Sequence, residues 1–599
     1  MAGAPCMAGS LTGVGRTVVS PACKKGKNIV SDTETPKEMT AEAYLTRLAE
    51  RGIEYVFANA GTDFAPIVEA LSRNAGNGKF PRFLTVPHEN LAMAMAHGYY
   101  RTCGKPAAVM VHVTVGTANA ICGLMNAARD NVPVLLAAGR TPITETGHIA
   151  SRNRSIHWGQ ESFDQGGMVR EFVKWDYELR QGQPVEAVVD RALDIAMTEP
   201  RGPVYLTLPR EVLANPASHA RRDTVRPLGA VSPEPARAAI EEAASLIAKA
   251  EFPLIVTSSI GRDPAAIDEL SKLAEEFSIP VVQSEARDYN MPSSHPMNLG
   301  FEAGPWIKKA DVIIVLDSVI PWIPGAGGPG RSTKIVTISS DPLTARYPFK
   351  EIEADLLIAG DPRAALRLLR EALGGMAKAK NGAADGRRKT VATAREEAKA
   401  KRAKLIETVK DQSPVHLAWV AHCINQLKSE DAIVVSELGV PQSALNLTRP
   451  RSFMGGLLSG GLGFGLGAAL GAKLAAPERE VIATVGDGSY MFGNPLPYHY
   501  VGRAENLSTL TIVTNNMMWG AVRQSTLDVY PDGRAAKANA MPLTELKPSP
   551  DFEKVVETCG GYGEKVETAA ALMPALERAF DKVRSGTPAT LNVMTQGRR

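Results

Sequence analysis

Val481-Ile482-Ala483-Thr484-Val485 runs straight into Gly486-Asp487-Gly488-Ser489, and Leu510-Thr511-Ile512-Val513-Thr514 runs into Asn515-Asn516. Both are short runs rich in β-branched residues, the pattern of parallel strands buried on both faces. Two such strands with polar residues at their carboxyl ends form a ligand site at a sheet edge. One carboxylate, one carboxamide and nearby backbone carbonyls are hard oxygen ligands, suited to Mg²⁺ when a diphosphate completes the octahedron. Glycines on either side of Asp487 let the backbone approach phosphates. A Gly-Asp-Gly after a strand can also be a plain tight turn. The Asn-Asn pair 28–29 residues on favours the ligand reading.

Outward from this point the same alternation of short apolar runs and helical stretches extends back to about Thr40, which predicts α/β units around parallel sheets. Tyr55-Val56-Phe57, Ala107–Val113 and Val134–Ala138 read as strands of a first region. Leu254–Thr257, Pro280–Gln283, Val312–Leu316 and Ile335–Ile338 read as strands of a second. The predicted division is an N-terminal extension at 1–38, α/β domains at 39–213, 235–375 and 413–599, and a charged helical linker at 376–412. Asn215–Pro235 joins the first two domains, and no repeat of 20–50 residues is evident. In residues 376–410 there are eleven Lys/Arg against four Asp/Glu, which reads as a solvated helix.

Composition narrows the function. The 599 residues are 44% hydrophobic and 22% charged, which excludes a disordered or fibrous protein. A net charge of +3 is too small to imply a nucleic-acid or membrane partner. Six cysteines without a CxxC exclude a disulfide scaffold and point to a reducing, cytoplasmic setting. The first 31 residues lack Asp and Glu and have no continuous apolar core, so an extension rather than a targeting peptide is expected. Gly455–Ala476 is long enough to span a membrane, but eight glycines and Lys473 favour a backbone packed closely against something.

Gly486-Asp487-Gly488 followed by Asn515-Asn516 resembles the metal–diphosphate motif of thiamine diphosphate enzymes. The resemblance implies that Asp487, Asn516 and the Met518 carbonyl hold Mg²⁺, with Gly486, Gly488 and Ser489 at the diphosphate. Gly463-x-Gly465-x-x-Ala468 looks like a dinucleotide fingerprint, but it lacks a strand just before it and an acidic residue about 20 positions on. In the resembled family Ser459–Phe464 lies against the thiamine pyrimidine instead. Leu462 would be the wedge between the two rings, and the Gly460 carbonyl would accept from the 4′-amino group. A glycine-rich helix packed for its own sake is the bland alternative.

Pro87-His88-Glu89-Asn90 precedes the small-residue helix Leu91–Tyr99. A carboxylate entering such a helix is expected to be partly buried, which favours sharing a proton. An exposed helix-start charge is the alternative. The resemblance places the cofactor-activating glutamate here, so Glu89 would protonate the pyrimidine N1′ and lead to the thiazolium ylid. It also implies pyrimidine-binding, middle and diphosphate-binding domains, three doubly wound parallel sheets, and sites completed between subunits. A homodimer at least, and a homotetramer by the family's habit, is expected.

Within the family, Val111-His112-Val113-Thr114 resembles benzoylformate decarboxylase, where a histidine 23 residues after the glutamate faces the substrate. Asn59-Ala60-Gly61-Thr62 resembles the loop that bears a substrate-facing hydroxyl, here Thr62, and Ser294-His295-Pro296 falls where a second active-site histidine stands. Two imidazoles suit proton transfer after loss of CO₂, although either can also be a structural residue. His148–Gln160 reads first as a solvated loop, with Arg152, Arg154, His157 and Trp158 as cations or contacts for an acidic substrate in the alternative. Trp519–Ser525 is less aromatic than in benzoylformate decarboxylase, which puts aryl specificity in doubt.

The chain also resembles acetolactate synthase, whose Gln-Glu is matched by Gln160-Glu161. Gly159 stands where that enzyme has phenylalanine, and Arg210 where it has lysine. Val319–Pro324 replaces its flavin-contacting stretch, so no flavin is expected. The expected activity is decarboxylation of a small 2-oxo acid, with carboligation of the active aldehyde as a further activity. An acetolactate-synthase-type ligase lacking FAD is the alternative, and a non-catalytic cofactor-binding or assembly protein the distant one.

Overall fold

The computed structural model describes residues 38–219, 226–325, 327–351, 353–376 and 383–597. Apart from Glu38 the expected N-terminal extension lies outside the described residues, and so do residues 220–225 of the first connection.

Three parallel sheets form the chain. The first contains β1 (Tyr55–Ala58), β2 (Arg82–Thr85), β3 (Ala107–Val111), β4 (Val134–Arg140), β5 (Asp176–Glu178) and β6 (Val204–Pro209), in the order β2-β1-β3-β4-β6-β5. The second contains β7 (Pro253–Thr257), β8 (Val281–Val282), β9 (Val312–Leu316), β10 (Lys334–Ser339) and β11 (Leu356–Ala359), in the order β11-β10-β9-β7-β8. The third contains β12 (Ile433–Glu437), β13 (Phe453–Gly455), β14 (Val481–Gly486), β15 (Leu510–Asn515), β16 (Tyr562–Val566) and β17 (Ala589–Met594), in the order β13-β12-β14-β15-β17-β16. Strand for strand, the first and third sheets have one topology, a likeness the sequence hides because it lies in strand order and not in residues. The central strands are buried along their length, as β3, β4 and β14 show, because helices cover both faces of a parallel sheet.

The Glu89–Cys103 helix crosses the Phe464–Ala475 helix, and small residues set the spacing. A Cβ on Gly98 would lie 2.1 Å from the Ala468 carbonyl oxygen, and one on Gly471 would lie 2.0 Å from the Met95 carbonyl oxygen. A Cβ on Gly467 would meet the Ala94 methyl at 2.5 Å. The glycine-rich stretch Gly455–Ala476 is therefore the end of β13, a loop and a packed helix. Among the described residues no helix is long and apolar enough to cross a membrane.

Asp130, at the end of the Val113–Arg129 helix, ties the first two sheets together. It accepts from Arg287 and Arg101, and Arg101 also reaches Asp288. The charged stretch forms the helix Ala383–Val409, but it is less solvated than its composition predicts. Arg387 is buried and donates to the carbonyls of Phe277 and Ser278, capping the end of the Pro264–Phe277 helix. Arg395 reaches the carbonyls of Ser294, His295 and Asn298, and Arg402 that of Ala444. Three arginines pin one face of this helix to its neighbours.

Candidate active site

In a parallel sheet every strand delivers its last residue to the same edge, and two such edges carry the polar clusters here. At the edge of the first sheet, Glu89 begins its helix and is 8% exposed. Asn59, just past β1, donates to Glu89 Oε1 at 2.8 Å, and Asn119 of the Val113–Arg129 helix donates to Oε2. The carboxylate is thus held by two neutral carboxamides.

His112 follows β3 and caps the Val113–Arg129 helix. Its Nδ1 lies 2.5 Å from Asp63 Oδ1, and the other Asp63 oxygen accepts from the Val113 amide at 3.4 Å. Val113 has φ +33°, an outlier for a β-branched residue and a local strain where the chain turns His112 toward Asp63. Two glycines make room: a Cβ on Gly61 would lie 2.0 Å from His112 Nδ1, and one on Gly139 would lie 1.8 Å from Asp63 Oδ2.

Thr62 stands beside the pair, but its hydroxyl faces His157 Nε2 at 3.4 Å. Arg210 is buried and binds the carbonyls of Thr62, Ala150 and Ser151, which fixes the 148–160 segment over the site. The expectation of a solvated loop there is corrected in part. Trp158 and the backbone around it are exposed, whereas His157 is 1% exposed and Gln160 meets His112 Nε2 at 3.1 Å. Burial, followed by the charges of Arg210, Arg154, Arg152 and His112, holds His157 below the usual histidine range.

His295 stands apart from the other expected site residues within one chain. Its ring is buried beside the Pro264–Phe277 and Ala383–Val409 helices, its Nδ1 accepts from the Met297 amide, and Glu275 and the Ser271 backbone act on it. Arg395 holds its carbonyl. The tight turn Pro292–His295 directs the side chain into the second sheet's own packing, so within one chain the structure does not bring it to His112.

At the edge of the third sheet, Asp487 begins a short helix after β14 and is 3% exposed. Burial pushes its carboxyl up to about 6, against the backbone amides of Gly488, Asp487, Met518 and Met517, and no cation figures among the groups acting on it. A buried carboxylate lacking a countercharge is a site that a divalent ion would complete. The Ser489 hydroxyl is buried without a partner. Asn516 Oδ1 accepts from the Met518 amide at 3.1 Å, and Met517 has φ +55°. Gly488 lies under Trp519, whose ring a Cβ would meet at 2.4 Å. Among the described residues no three His, Cys, Asp or Glu side chains converge, so a metal here needs oxygens from Asn516, the backbone and a phosphate. The residues fit a metal-bound diphosphate.

The Ser459–Gly463 loop lies between the two edges. Asn126 donates to the Gly461 carbonyl at 2.8 Å and accepts from Ser459 and from the Gly461 amide, and Asn90 donates to the Leu462 carbonyl at 3.3 Å. Gly460 has φ +61° and open space where a Cβ would stand. Below the loop, Glu437 at the end of β12 accepts from the amides of Gly463 and Gly465 at 2.8 and 2.7 Å. Burial pushes its carboxyl up to about 7, although those amides pull it down. His88 and Asn494 meet at 3.1 Å and join the Glu89 side to the loop after Asp487.

Reasoning from sequence gave no role to Asn59, Asp63, Asn119, Asn126 and Glu437, and named His157 only in the alternative reading of its loop and Gln160 only as a match to acetolactate synthase. Position after a strand was a usable signal for Asn59 and Glu437. Asn119 and His157 sit inside stretches already singled out, but only the fold shows what they face.

Comparison with known proteins agrees with this layout. Family models described as the N-terminal, central and C-terminal domains of thiamine pyrophosphate enzymes match residues 39–168, 240–369 and 438–593. The acetolactate synthase large subunit of Mycobacterium tuberculosis is 27% identical over 573 residues, covering 94% of this chain and 97% of that protein. The structure of a thiamine diphosphate-dependent 4-hydroxybenzoylformate decarboxylase from Rhodococcus jostii matches with a TM-score of 0.74 at 22% identity, covering 94% of this chain and 100% of that one. Benzoylformate decarboxylase from Polynucleobacter necessarius matches with a TM-score of 0.75 at 21% identity, covering 94% and 99%.

Proposed function

This chain belongs to the thiamine pyrophosphate enzymes, and from that premise we propose that it decarboxylates a small 2-oxo acid with Mg²⁺ as the metal of its thiamine diphosphate. Joining of the resulting aldehyde unit to a second carbonyl compound is a further activity of the same site. The observation that carries the reading is the His112–Asp63 pair on the same sheet edge as Glu89. An imidazole held there by a buried carboxylate is placed to give a proton to carbon after CO₂ leaves.

When bound, thiamine diphosphate supplies a thiazolium carbon that adds to the 2-oxo group and accepts the electron pair of the breaking C1–C2 bond. Asp487, Asn516 and the Met518 carbonyl would hold the metal, and Gly486, Gly488 and Ser489 would meet the diphosphate. The Gly460 carbonyl and the Leu462 side chain would face the pyrimidine. Glu89 would hold a proton on its carboxyl, with Asn59 and Asn119 keeping that carboxyl oriented. Thr62 would orient the substrate carboxylate, and His112 Nε2 would move a proton to the former carbonyl carbon. By the family resemblance the enzyme works in the cytoplasm as a homodimer or homotetramer.

A second reading, an acetolactate-synthase-type ligase without flavin, is favoured by Gln160 beside His112 and by relatives bearing that name. The test is a product assay with pyruvate, benzoylformate and branched 2-oxo acids. Aldehyde and CO₂ in equal amounts from one acid support the decarboxylase. Chiefly acetolactate from pyruvate moves the assignment to the ligase.

A further inference from the structure

We propose that Asp63 and His157 are positioning residues of the reaction centre, Asp63 fixing the ring of His112 and His157 fixing the hydroxyl of Thr62. This rests on the reading of the site given above.

The hydrogen-bond directions follow from groups whose roles are fixed. A backbone amide only donates, and the Asn153 amide points at His157 Nδ1 at 3.3 Å. Nδ1 must therefore be the unprotonated nitrogen, and the ring proton sits on Nε2. Nε2 faces the Thr62 oxygen at 3.4 Å, so it donates there and fills one acceptor site of the hydroxyl. The Thr62 proton is then free to point away, toward a ligand. Burial, followed by the charges of Arg210, Arg154 and Arg152, disfavours the protonated His157 ring, in line with this arrangement.

The other arm works by the same logic with the opposite tautomer. Asp63 is 3% exposed and its Oδ1 accepts from His112 Nδ1–H. That leaves Nε2 as the exchanging nitrogen of His112. Gln160 faces Nε2, and its Oε1 is buried without a partner, so its amide has no second anchor on that oxygen. It can donate to the neutral ring or, turned over, accept from the protonated one. In the reaction one proton enters Nε2 from solvent water. As the C1–C2 electron pair becomes available, that N–H breaks, a C–H bond forms at the former carbonyl carbon, and His112 returns to neutral. The 2-oxo acid anion and one proton become aldehyde and CO₂. Two glycines, Gly61 and Gly139, leave no space for a methyl group against this pair, which argues for a built arrangement rather than a chance contact.

The experiment combines kinetics and spectroscopy on the full-length holoenzyme. Thr62→Val and His157→Leu should each lower kcat/KM about tenfold, mainly through KM, because both act on the ligand-facing hydroxyl. The double variant should be no worse than Thr62→Val alone, and His157→Gln, whose amide nitrogen can replace Nε2, should recover most of the loss. Losses that multiply in the double variant overturn the His157 role, since a purely structural residue acts independently of Thr62. Asp63→Asn should lower kcat with KM nearly unchanged. In ¹⁵N-histidine-labelled enzyme, neutral His157 should show the Nε2–H pattern and neutral His112 the Nδ1–H pattern, the latter lost in Asp63→Asn. The reverse tautomers overturn the proposal. If wild type turns over no 2-oxo acid, the functional reading falls, while the tautomer pattern still decides the positioning roles.

Discussion

Replacing Glu437 with glutamine should raise the stability of the apoenzyme at pH 8 and leave it almost unchanged at pH 5. Burial moves this carboxyl from an ordinary 4.5 to about 7. Between those values the folded chain holds a proton that the unfolded chain has released, so wild-type stability falls as pH rises through the interval. At 1.36 kcal/mol for each pH unit, the loss is about 1 kcal/mol at pH 5 and about 3 kcal/mol at pH 8. Glutamine does not titrate. It accepts from only one of the two glycine amides, a pH-independent cost of about 1 kcal/mol. The variant should therefore match wild type near pH 5 and exceed it by about 2 kcal/mol at pH 8. At roughly 2–4 °C per kcal/mol for a unit of 150–250 residues, the gap between the two melting curves should open by about 5–10 °C. Calorimetry of both apoenzymes at pH 5, 6, 7 and 8 measures this. A gap that stays constant with pH would show that Glu437 does not titrate in this range, and the burial argument would fail.

Glu89→Gln should keep the fold and bind cofactor yet lose about 10²–10⁴-fold in turnover, because only the proton relay is removed; near-wild-type turnover with cofactor bound refutes the role. Asp487→Ala should abolish Mg²⁺-dependent retention of thiamine diphosphate, since the metal loses its one charged protein ligand; wild-type affinity by calorimetry would contradict the site. His112→Ala should slow aldehyde release more than C–C cleavage, raising the ligated fraction of product. His295→Ala separates a structural role for this buried ring, which leaves that ratio as it is, from a role in the site, which raises it. Gly139→Ala should cost about 1–3 kcal/mol by overpacking and reproduce the kinetic defect of Asp63→Asn, because the new methyl displaces the same carboxylate; unaltered kcat would show that the pair does not matter.

The three sheets and the Asp487 motif were legible because both rest on local pattern. A buried parallel strand is a short apolar run, and its carboxyl end is where ligands are met, so Val481–Ser489 carried its own context. Glu89 was legible through the helix it begins. The surroundings of the second histidine were not. His295 matched a position in the order of residues of benzoylformate decarboxylase, and within its own chain its turn directs it into the second sheet, while His157 sat in a stretch whose arginines and tryptophan read as solvated surface. Burial of His157 in this segment depends on Arg210 binding carbonyls about 60 residues away, and no window of sequence contains that. Asn59 and Asn119 were missed for a related reason: carboxamides look bland until the fold points two of them at one carboxylate.

The crossing of the Glu89–Cys103 and Phe464–Ala475 helices makes the three glycines Gly98, Gly467 and Gly471 a gauge for the whole enzyme. At that crossing Gly98 and Gly471 lie against backbone and Gly467 against the short Ala94 methyl, so little there can be repacked to absorb a change. Glu89 begins the first of these helices and the Ser459–Gly463 loop leads into the second, so the seating of the first sheet's layer on the third's within one chain is cut to length by three missing methyl groups. Variation elsewhere, in the second sheet or in the charged helix, can then be broad without altering how these two layers sit on each other, whereas one added carbon atom at this crossing shifts both at once.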